Sequence, residues 1–432
     1  MARPLWLTKF LVRSRLARFV PSIRALCGDG VSHLRYYSDA VLAAPVAELR
    51  DPAYFPEPPG DDVIDLNQPA PRFGTAVALG RVADRSGNPH PWGTPELRNA
   101  IADMYVRRDG RELNPDDEVF VTHGATAAYS AAMTAFVNPG DRVVLFDPCS
   151  PLFALGAKAR RASVRWVPTW NEDGRCRYMP ADFEKAMRGA KVLVLADPSN
   201  PTGACFSQED LDHIAWIAGG YDVLVYADES YSRYRHDGRS RSLAVLPGAD
   251  VRTLTGGSVS ASHGLGSVRV GWVAGPKHLV KACALTASLA APFVPAVCQQ
   301  VAARAVAEDA AADGFAEKRR YLVDRLKGLG FEPDWPAGGY FAWVPVSHLG
   351  TDGRAFAERL LREEKVLVGP GCAFGPGGAG HVRISFAADD GRLREGLVRL
   401  AAFVGRLKNP TPAEVEKVEV TADERQPAFS RV

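Results

Sequence analysis

The sequence predicts an α/β protein: a three-layer sandwich with a mostly parallel central sheet, joined to a smaller α+β C-terminal domain. Two observations indicate this fold class. Between Asp65 and about Leu407, short continuous apolar runs alternate with amphipathic stretches, as in parallel strands that helices cover on both faces. Most of these runs also lead directly into polar or turn residues, and ligands collect at such strand ends in parallel sheets.

The predicted strands share a richness in Val, Leu or Ile. They are Glu118–Thr122, Arg142–Phe146, Val192–Ala196, Val223–Ala227, Thr253–Leu254 and Arg269–Ala274. Residues 292–325 are Ala-rich with helical spacing, so we predict one long helix there. This helix would connect the large lobe with a C-terminal lobe that begins near Leu329.

The length of 432 residues exceeds what one compact core usually holds, so several units are expected. We assign residues 1–60 to a basic amphipathic extension and linker, and 61–310 to a large domain. Residues 61–85 are expected to contribute to the small lobe. The small C-terminal domain would span 311–407, and residues 408–432 would form a disordered tail because they lack hydrophobic periodicity.

The N-terminal extension carries six basic side chains before the first acidic one, Asp29. Helical spacing would gather many apolar residues between positions 5 and 20 on one face. Three interpretations remain open: a helix on an anionic membrane surface, a targeting peptide, and an arm that packs on a partner subunit. The first would make an otherwise cytoplasmic protein a peripheral membrane protein through residues 5–20.

Bulk composition excludes several classes of protein. No apolar run reaches about 18 residues, so no transmembrane helix is predicted. Lys and Arg number 52 against 50 Asp and Glu, which argues against nucleic acid as a partner. The seven cysteines are scattered without a Cys-x-x-Cys pair, so no metal site is predicted and a reducing cytoplasm is expected.

The most specific motif is the segment Ser258–Trp272. It resembles the signature of fold type I (class I/II) aminotransferases, which depend on pyridoxal 5'-phosphate (PLP) and read Ser-x-Ser-Lys-x-x-Gly-Leu-x-x-x-Arg-x-Gly. The register places Ala261 at the lysine that binds the cofactor covalently. The resemblance covers roughly residues 62–406. Further positions in register are Gly264, Leu265, Arg269 and Gly271.

The resemblance implies a cofactor site at the strand ends. Asn200 and Tyr231 would bind the phenolic oxygen of PLP, and Asp228 would keep the ring nitrogen protonated. Arg383, together with Asn200, would bind the carboxylate of the substrate. A helix N-terminus, hydroxyls and a guanidinium would hold the phosphate; these groups belong to Gly124, Ala125, Thr126, Ser258, Ser260 and Arg269.

Three positions depart from the family pattern. Ala261 offers no amine to attach the cofactor or to move a proton, so PLP would be held non-covalently. Ser150 replaces the aromatic residue that stacks on the ring, a contact worth ~0.5–1.5 kcal/mol. Asn88 stands where family members have a tyrosine that reaches a phosphate across the dimer interface. Three changes around one cofactor favour natural divergence over an engineered substitution.

The resulting hypothesis is a homodimeric PLP-binding protein that binds or acts on an α-amino acid or keto acid, with transamination impaired or lost. One alternative is an active aminotransferase that uses another base, such as His263, or another lysine, such as Lys277 or Lys281. The other alternative is a non-catalytic binding or scaffold protein whose N-terminal arm contacts a membrane or a partner.

Overall fold

The computed structural model describes residues 51–53, 60–68, 71, 89–238, 240–308 and 314–408. The predictions for the N-terminal extension up to residue 50, for Asn88 and for the tail from 409 lie outside the described residues. Within the described ranges, no helix combines the length and the apolar character needed to cross a membrane.

Strands and helices follow one another along most of the described chain. The strands are β1 (Ile64–Asp65), β2 (Val119–Thr122), β3 (Arg142–Asp147), β4 (Ser163–Glu172), β5 (Arg175–Tyr178), β6 (Val192–Ala196), β7 (Leu224–Asp228), β8 (Thr253–Ser258), β9 (Gly271–Ala274), β10 (Phe341–Pro345), β11 (Val366–Leu367), β12 (Gly369–Pro370) and β13 (His381–Ser385). The α-helices are α1 (Pro95–Asp109), α2 (Gly124–Phe136), α3 (Pro151–Ala159), α4 (Pro180–Met187), α5 (Gln208–Gly220), α6 (Val259–His263), α7 (Lys277–Ala290), α8 (Ala296–Glu308), α9 (Phe315–Gly328), α10 (Gly353–Glu364) and α11 (Asp390–Lys408).

The central sheet has the strand order β2-β9-β8-β7-β6-β3-β4-β5 in the described part of the chain. The five strands β8, β7, β6, β3 and β4 pair in parallel, and β9 and β5 run against their neighbours. The parallel strands all end at one edge of the sheet. The polar segments that follow them therefore meet along that edge.

Helices cover both faces of this sheet because successive side chains of each strand point to opposite sides. In β3, Val143 and Leu145 pack with residues of α2, α3 and α7. Val144 and Phe146 of the same strand pack with residues of α4 and α5. Near the β2 edge, Trp272 packs on α1 and α8. These layers form the predicted three-layer sandwich.

A second apolar core lies in the C-terminal part of the chain. It combines residues of α9, α10 and α11 with the antiparallel sheet β10-β13-β12. Ile64 and Leu66 belong to the same core, and β1 pairs in parallel with β11. Residues just after position 60 thus pack with the C-terminal part rather than with the central sheet.

Two sequence predictions of secondary structure need correction. The predicted helix over 292–325 is interrupted at Gly314, which has φ +90° and precedes the first residue of α9. A left-handed residue cannot continue an α-helix. The predicted strand Arg269–Ala274 begins at Gly271, because Arg269 itself has φ +55° and ends a 3₁₀ turn.

The antiparallel pair β4–β5 was not predicted. Its first strand, β4, alternates apolar with polar residues such as Arg165, Thr169 and Asn171, and most of the strand is only partly buried. Such a partly exposed strand next to the sheet edge lacks the continuous apolar run that marks a strand covered on both faces.

Gly256 in β8 provides a test of the packing between adjacent central strands. A Cβ at this position would overlap the hydroxyl of Tyr226 in β7. We expect Gly256→Ala to lower the free energy of unfolding by ~1–3 kcal/mol, as overpacked cores do. Chemical denaturation with guanidinium, followed by circular dichroism, measures this change.

The matched control is Gly219→Ala in α5, where an added Cβ meets no atom within 4 Å. This variant is expected to gain ~0.5–1 kcal/mol, because alanine restricts the unfolded chain and favours the helix. Equal effects of the two substitutions would contradict the close packing at Gly256.

Candidate active site

The candidate site lies where the parallel strands β6, β7 and β8 end. Asp228, the last residue of β7, is in register with Ala196 of β6 on one side and Gly256 of β8 on the other. The segments that follow these strands carry Asn200, Tyr231 and α6. Adjacent strand ends thus bring together side chains that are distant in the sequence, such as Asn200 and Tyr231, which are 31 residues apart.

One end of the site is the N-terminus of α2. No side chain caps this helix, so its first backbone N–H groups remain available as donors. A Cβ on Gly124, which has φ +82°, would lie 2.5 Å from Nη2 of Arg269. Glycine at this position therefore allows the guanidinium to approach the helix end, and the two together form an anion-binding cup.

Hydroxyl groups complete the cup. The guanidinium of Arg269 donates a hydrogen bond of 3.1 Å to Oγ of Ser260. Ser258 caps α6, since its Oγ accepts a hydrogen bond of 3.1 Å from the N–H of Ser260. Ala125 and Thr126 lie in the first turn of α2, where the side chain of Thr126 is exposed. The six residues predicted to hold a phosphate thus occur on two neighbouring helix ends and one adjoining loop.

A chain of hydrogen bonds occupies the other end of the site. Nδ2 of Asn200 donates to the hydroxyl of Tyr231 at 3.2 Å, and Oδ1 of Asn200 accepts from Arg383 at 2.8 Å. The Arg383 guanidinium also donates to Oδ1 of Asn67 at 2.7 Å. Its carbon lies 4.4 Å from the ring centre of Phe341 and 4.7 Å from that of Phe374.

Burial shifts the pKa values of side chains in this hydrogen-bonded series. Desolvation lowers the pKa of Arg383 to about 10, so the guanidinium stays charged at neutral pH. Burial also raises the pKa of the Tyr231 hydroxyl, which therefore remains protonated. The end of the site near Arg383 can bind a carboxylate through a fixed cation that apolar rings shield from water.

Asp228 is a buried acid at the centre of the site. Burial is the main cause of a raised pKa for its carboxyl group, and Oδ1 accepts the N–H of Ser230 at 2.9 Å. No Lys or Arg of the described ranges forms an ion pair with it. A cationic ring nitrogen at this position would supply the missing positive charge.

Ala261 lies in α6 between the two ends of the site. Its side chain is 6% exposed and belongs to the apolar cluster that contains Tyr231 and Tyr340. The carbonyl of the next residue, Ser262, accepts a hydrogen bond of 2.8 Å from the hydroxyl of Tyr234. The position of the helix is therefore fixed on both sides of residue 261, where a methyl group faces the cluster.

Ser150 immediately precedes α3, and its side chain does not cap that helix. The N–H of the neighbouring Cys149 donates to the carbonyl of Phe374 at 2.8 Å. This bond ties the segment after β3 to the loop whose phenyl ring stacks on Arg383. The segment thus borders the candidate site, although serine offers no ring surface to it.

The alternative bases lie elsewhere. His263 lines a separate cavity behind α6 whose lining lacks Asn200, Asp228, Tyr231 and Arg383, and its Nδ1 is 2.7 Å from Oγ of Ser262. Lys277, at the start of α7, forms an ion pair of 2.5 Å with Asp117. Lys281, one turn further along α7, is exposed. In the described part of the structure, none of these three residues borders the series of hydrogen bonds that joins Asn200 to Arg383.

Two residues that contribute to the site were not predicted from the sequence. Asn67 accepts from Arg383 but lies in a short segment after β1 that carries no periodic signal. Asp197 anchors the loop that carries Asn200, because its Oδ2 accepts from Arg235 at 3.0 Å and its Oδ1 accepts from the N–H of Phe206 at 3.0 Å. A carboxylate directly after a buried strand was the available signal for Asp197.

These features fit a PLP molecule. A helix N-terminus beside a guanidinium suits its phosphate, an unpaired buried carboxylate suits its ring nitrogen, and a tyrosine beside an amide suits its phenolic oxygen. The described residues contain no cluster of three or more His, Cys, Asp or Glu that could hold a metal ion. The fold and the site together define a protein of the PLP-dependent fold type I class.

Comparison with known proteins agrees with this class. The sequence profile of the family "aminotransferase class I and II" matches residues 59–400. The putative aminotransferase YugH of Bacillus subtilis is 34% identical over 319 residues, covering 72% of this chain and 82% of that protein. LL-diaminopimelate aminotransferase of Desulforudis audaxviator is 33% identical over 327 residues, covering 74% and 83%.

Solved structures show the same similarity. N-succinyldiaminopimelate aminotransferase from Mycobacterium tuberculosis superposes with a TM-score of 0.73 at 27% identity, covering 79% of this chain and 93% of that one. Aromatic aminotransferase from Pyrococcus horikoshii gives 0.75 at 28% identity, covering 81% and 97%. The chain therefore belongs to the class I and II aminotransferase family, whose cofactor is PLP. The predicted α/β fold with a mostly parallel sheet is confirmed.

The buried carboxyl of Asp197 predicts a pH dependence of stability. Burial raises its pKa from 3.8 to about 6 despite the nearby Arg235. Between these values the folded protein binds more protons than the unfolded chain, so the free energy of unfolding falls as pH rises and levels off above pH 6. We expect Asp197→Asn to lack this fall in denaturation experiments from about pH 4 to 8.

Asp212→Asn is the control, because this carboxyl is exposed on α5 and loses little solvation on folding. Wild type and the Asp212 variant should give parallel curves of stability against pH. Parallel curves for wild type and the Asp197 variant would instead contradict the raised pKa.

Proposed function

We propose that the protein binds PLP non-covalently together with an α-amino acid or keto acid, and that transamination is impaired or lost. One observation carries the proposal: a methyl group, that of Ala261, stands in α6 among groups that otherwise fit the cofactor. The family's lysine attaches the cofactor and transfers protons. Alanine performs neither task.

Each remaining group has an assigned role. The α2 N-terminus, Arg269 and the α6 hydroxyls hold the phosphate, and Asp228 keeps the ring nitrogen protonated. Asn200 and Tyr231 bind the phenolic oxygen, and Arg383 binds the carboxylate of the amino acid. When bound, the protonated ring of PLP withdraws electrons from the bonds around the substrate Cα. Ser150 adds no stacking surface, so a further ~0.5–1.5 kcal/mol of cofactor affinity is given up.

The geometry disfavours His263 as a replacement base. Burial and the charge of Arg233 lower its pKa to about 3, and its ring lines the cavity behind α6. A general base works best when its pKa lies near the operating pH. The proposal of lost or weakened transamination therefore does not invoke this histidine.

Restoring the amine tests the proposal. With PLP, Ala261→Lys should shift the cofactor absorbance, and borohydride should fix a pyridoxyl group on the introduced side chain, as peptide mapping would locate it. Transamination should rise at least ~10²-fold over wild type, the lower range for a positioned acid–base group. Ala261→Met, which has similar length but no amine, should produce neither change.

The same experiment can overturn the proposal. A pyridoxyl group trapped on a native lysine of the wild-type protein would identify another covalent attachment point. Amino acid turnover by wild type as fast as by Ala261→Lys would show that residue 261 does not limit the reaction. Absence of PLP binding by both proteins would favour the scaffold alternative.

We also propose a homodimer, supported by apolar side chains that the described chain leaves uncovered on α7 and the start of α8. Leu285 is 69% exposed, Leu289 is 86% exposed and Val297 is 44% exposed. Neighbouring leucines on one helix form an apolar surface that a second subunit could bury. The predicted membrane contact of residues 5–20 stays a separate prediction.

Sedimentation velocity tests the homodimer. Wild type should sediment as a dimer and Leu289→Glu mainly as a monomer, because a charge buried in an apolar interface costs several kcal/mol. Trp216→Glu is the control, since this residue is 73% exposed on α5 and lies away from α7. A monomeric wild type at micromolar concentration would refute the dimer.

A further inference from the structure

The side chain of Asn67 occupies part of the hydrogen-bonding surface of Arg383. Its Oδ1 accepts a hydrogen bond of 2.7 Å from Nη2 of Arg383, and its backbone carbonyl accepts one of 2.9 Å from the same nitrogen. Arg383 is 5% exposed, whereas Asn67 is partly exposed. The amide is therefore the more accessible partner of a buried cation.

The backbone around this amide is fixed. The N–H of Asn67 donates to Oδ1 of Asp65 at 2.9 Å. The N–H of the preceding Leu66 donates to the carbonyl of Leu367 at 2.9 Å, and the carbonyl of Leu66 accepts from the N–H of Ser385 at 2.7 Å. The backbone bond to the guanidinium is thus held in place, and the side-chain oxygen is the part that can leave by rotation about its own bonds.

Gly369 provides the room for the amide. This residue of β12 is in register with Arg383 of β13. A Cβ at position 369 would lie 2.6 Å from Oδ1 of Asn67 and 3.4 Å from its Cγ, which is closer than packed atoms approach. A larger residue would push the amide away, so glycine at this position leaves the space that the Asn67 side chain fills.

The two amides do not satisfy the guanidinium completely. Nε of Arg383 is buried and has no hydrogen-bond partner among the described residues. Such buried donors are rare unless a ligand, an ion or water serves them. The amide oxygens also bring no charge, whereas a carboxylate brings a full negative charge and can accept two parallel hydrogen bonds. A ligand carboxylate can therefore displace an amide, at the cost of the bond that the amide made.

Asn67 yields to a ligand more easily than Asn200. Asn200 is 6% exposed, and its Nδ2 also donates to the hydroxyl of Tyr231 at 3.2 Å. Turning Asn200 away would break this bond together with the one to Arg383. For the side chain of Asn67, the described part of the structure shows the bond of Oδ1 alone. Asn67 is therefore the acceptor that a ligand displaces at the lower cost.

We propose that Asn67 determines affinity and specificity at the carboxylate-binding end of the site. Its amide binds Arg383 when no ligand is present and turns away when a carboxylate binds. This inference rests on the proposed function, which assigns Arg383 to the carboxylate of the substrate. The apparent affinity for that carboxylate is reduced in proportion to the fraction of molecules in which the amide has turned away.

Opposite substitutions at residue 67 test the proposal. Succinate, which has no amine to react with the cofactor aldehyde, is titrated into the full chain in excess PLP, and isothermal calorimetry measures its affinity. Asn67→Ala removes Oδ1 but keeps the backbone bond. The affinity should rise about tenfold or more, the fold-change that corresponds to one hydrogen bond to a charged group.

Asn67→Asp should lower the affinity by at least the same factor, because its carboxylate would form an ion pair with Arg383 that succinate has to break. A residue with a merely structural role would change the affinity in the same direction in both variants. Opposite directions therefore identify competition for the guanidinium.

The matched controls are Asn138→Ala and Asn138→Asp, which make the same replacements at an exposed turn and should leave the affinity unchanged. Arg383→Gln should abolish succinate binding. Near-ultraviolet circular dichroism verifies that each variant is folded.

The outcomes separate this inference from the proposed function. If Arg383→Gln abolishes binding but Asn67→Ala binds succinate no more tightly than wild type, competition by Asn67 is refuted and the role of Arg383 stands. A higher affinity in Asn67→Asp would refute it equally. Unchanged binding in Arg383→Gln, or no heat of binding with any of the proteins up to about 10 mM succinate, would overturn both.

Discussion

The parallel register of β6, β7 and β8 is the constraint on which the rest of the site depends. It places Ala196, Asp228 and Gly256 side by side at one edge of the sheet. Asn200, Tyr231 and α6 then follow within a few residues of these strand ends, and Arg383 of β13 joins them from the C-terminal sheet. Close packing, such as that of Gly256 against the Tyr226 hydroxyl, holds the strands at this spacing.

How much of this could be predicted from sequence varied with the kind of signal. Continuous apolar runs identified the central strands to within a few residues, because strands buried on both faces must be apolar throughout. The edge pair β4–β5 escaped prediction because a strand with one solvated face alternates. The break at Gly314 depends on a left-handed backbone conformation that helical periodicity does not report.

The same difference applies to the candidate site, where residues marked by a local motif were predicted and residues without one were not. Motifs attached to strand ends identified Asn200, Asp228 and Tyr231 as neighbours, and the hydrogen bond between Asn200 and Tyr231 agrees with that grouping. Asn67 and the cavity behind α6 were missed. Both are assembled from segments that are far apart in sequence, and neither is marked by a local motif.

The bonds that Arg383 makes with Asn67 and Asn200 have a consequence for selectivity. A ligand that binds Arg383 must replace the amide oxygens of Asn67 and Asn200 with its own hydrogen-bond acceptors. A carboxylate gains from the exchange because it brings a full negative charge to a desolvated guanidinium. A neutral ester or carboxamide would only replace one set of uncharged acceptors with another, so the arginine discriminates acids from their neutral derivatives.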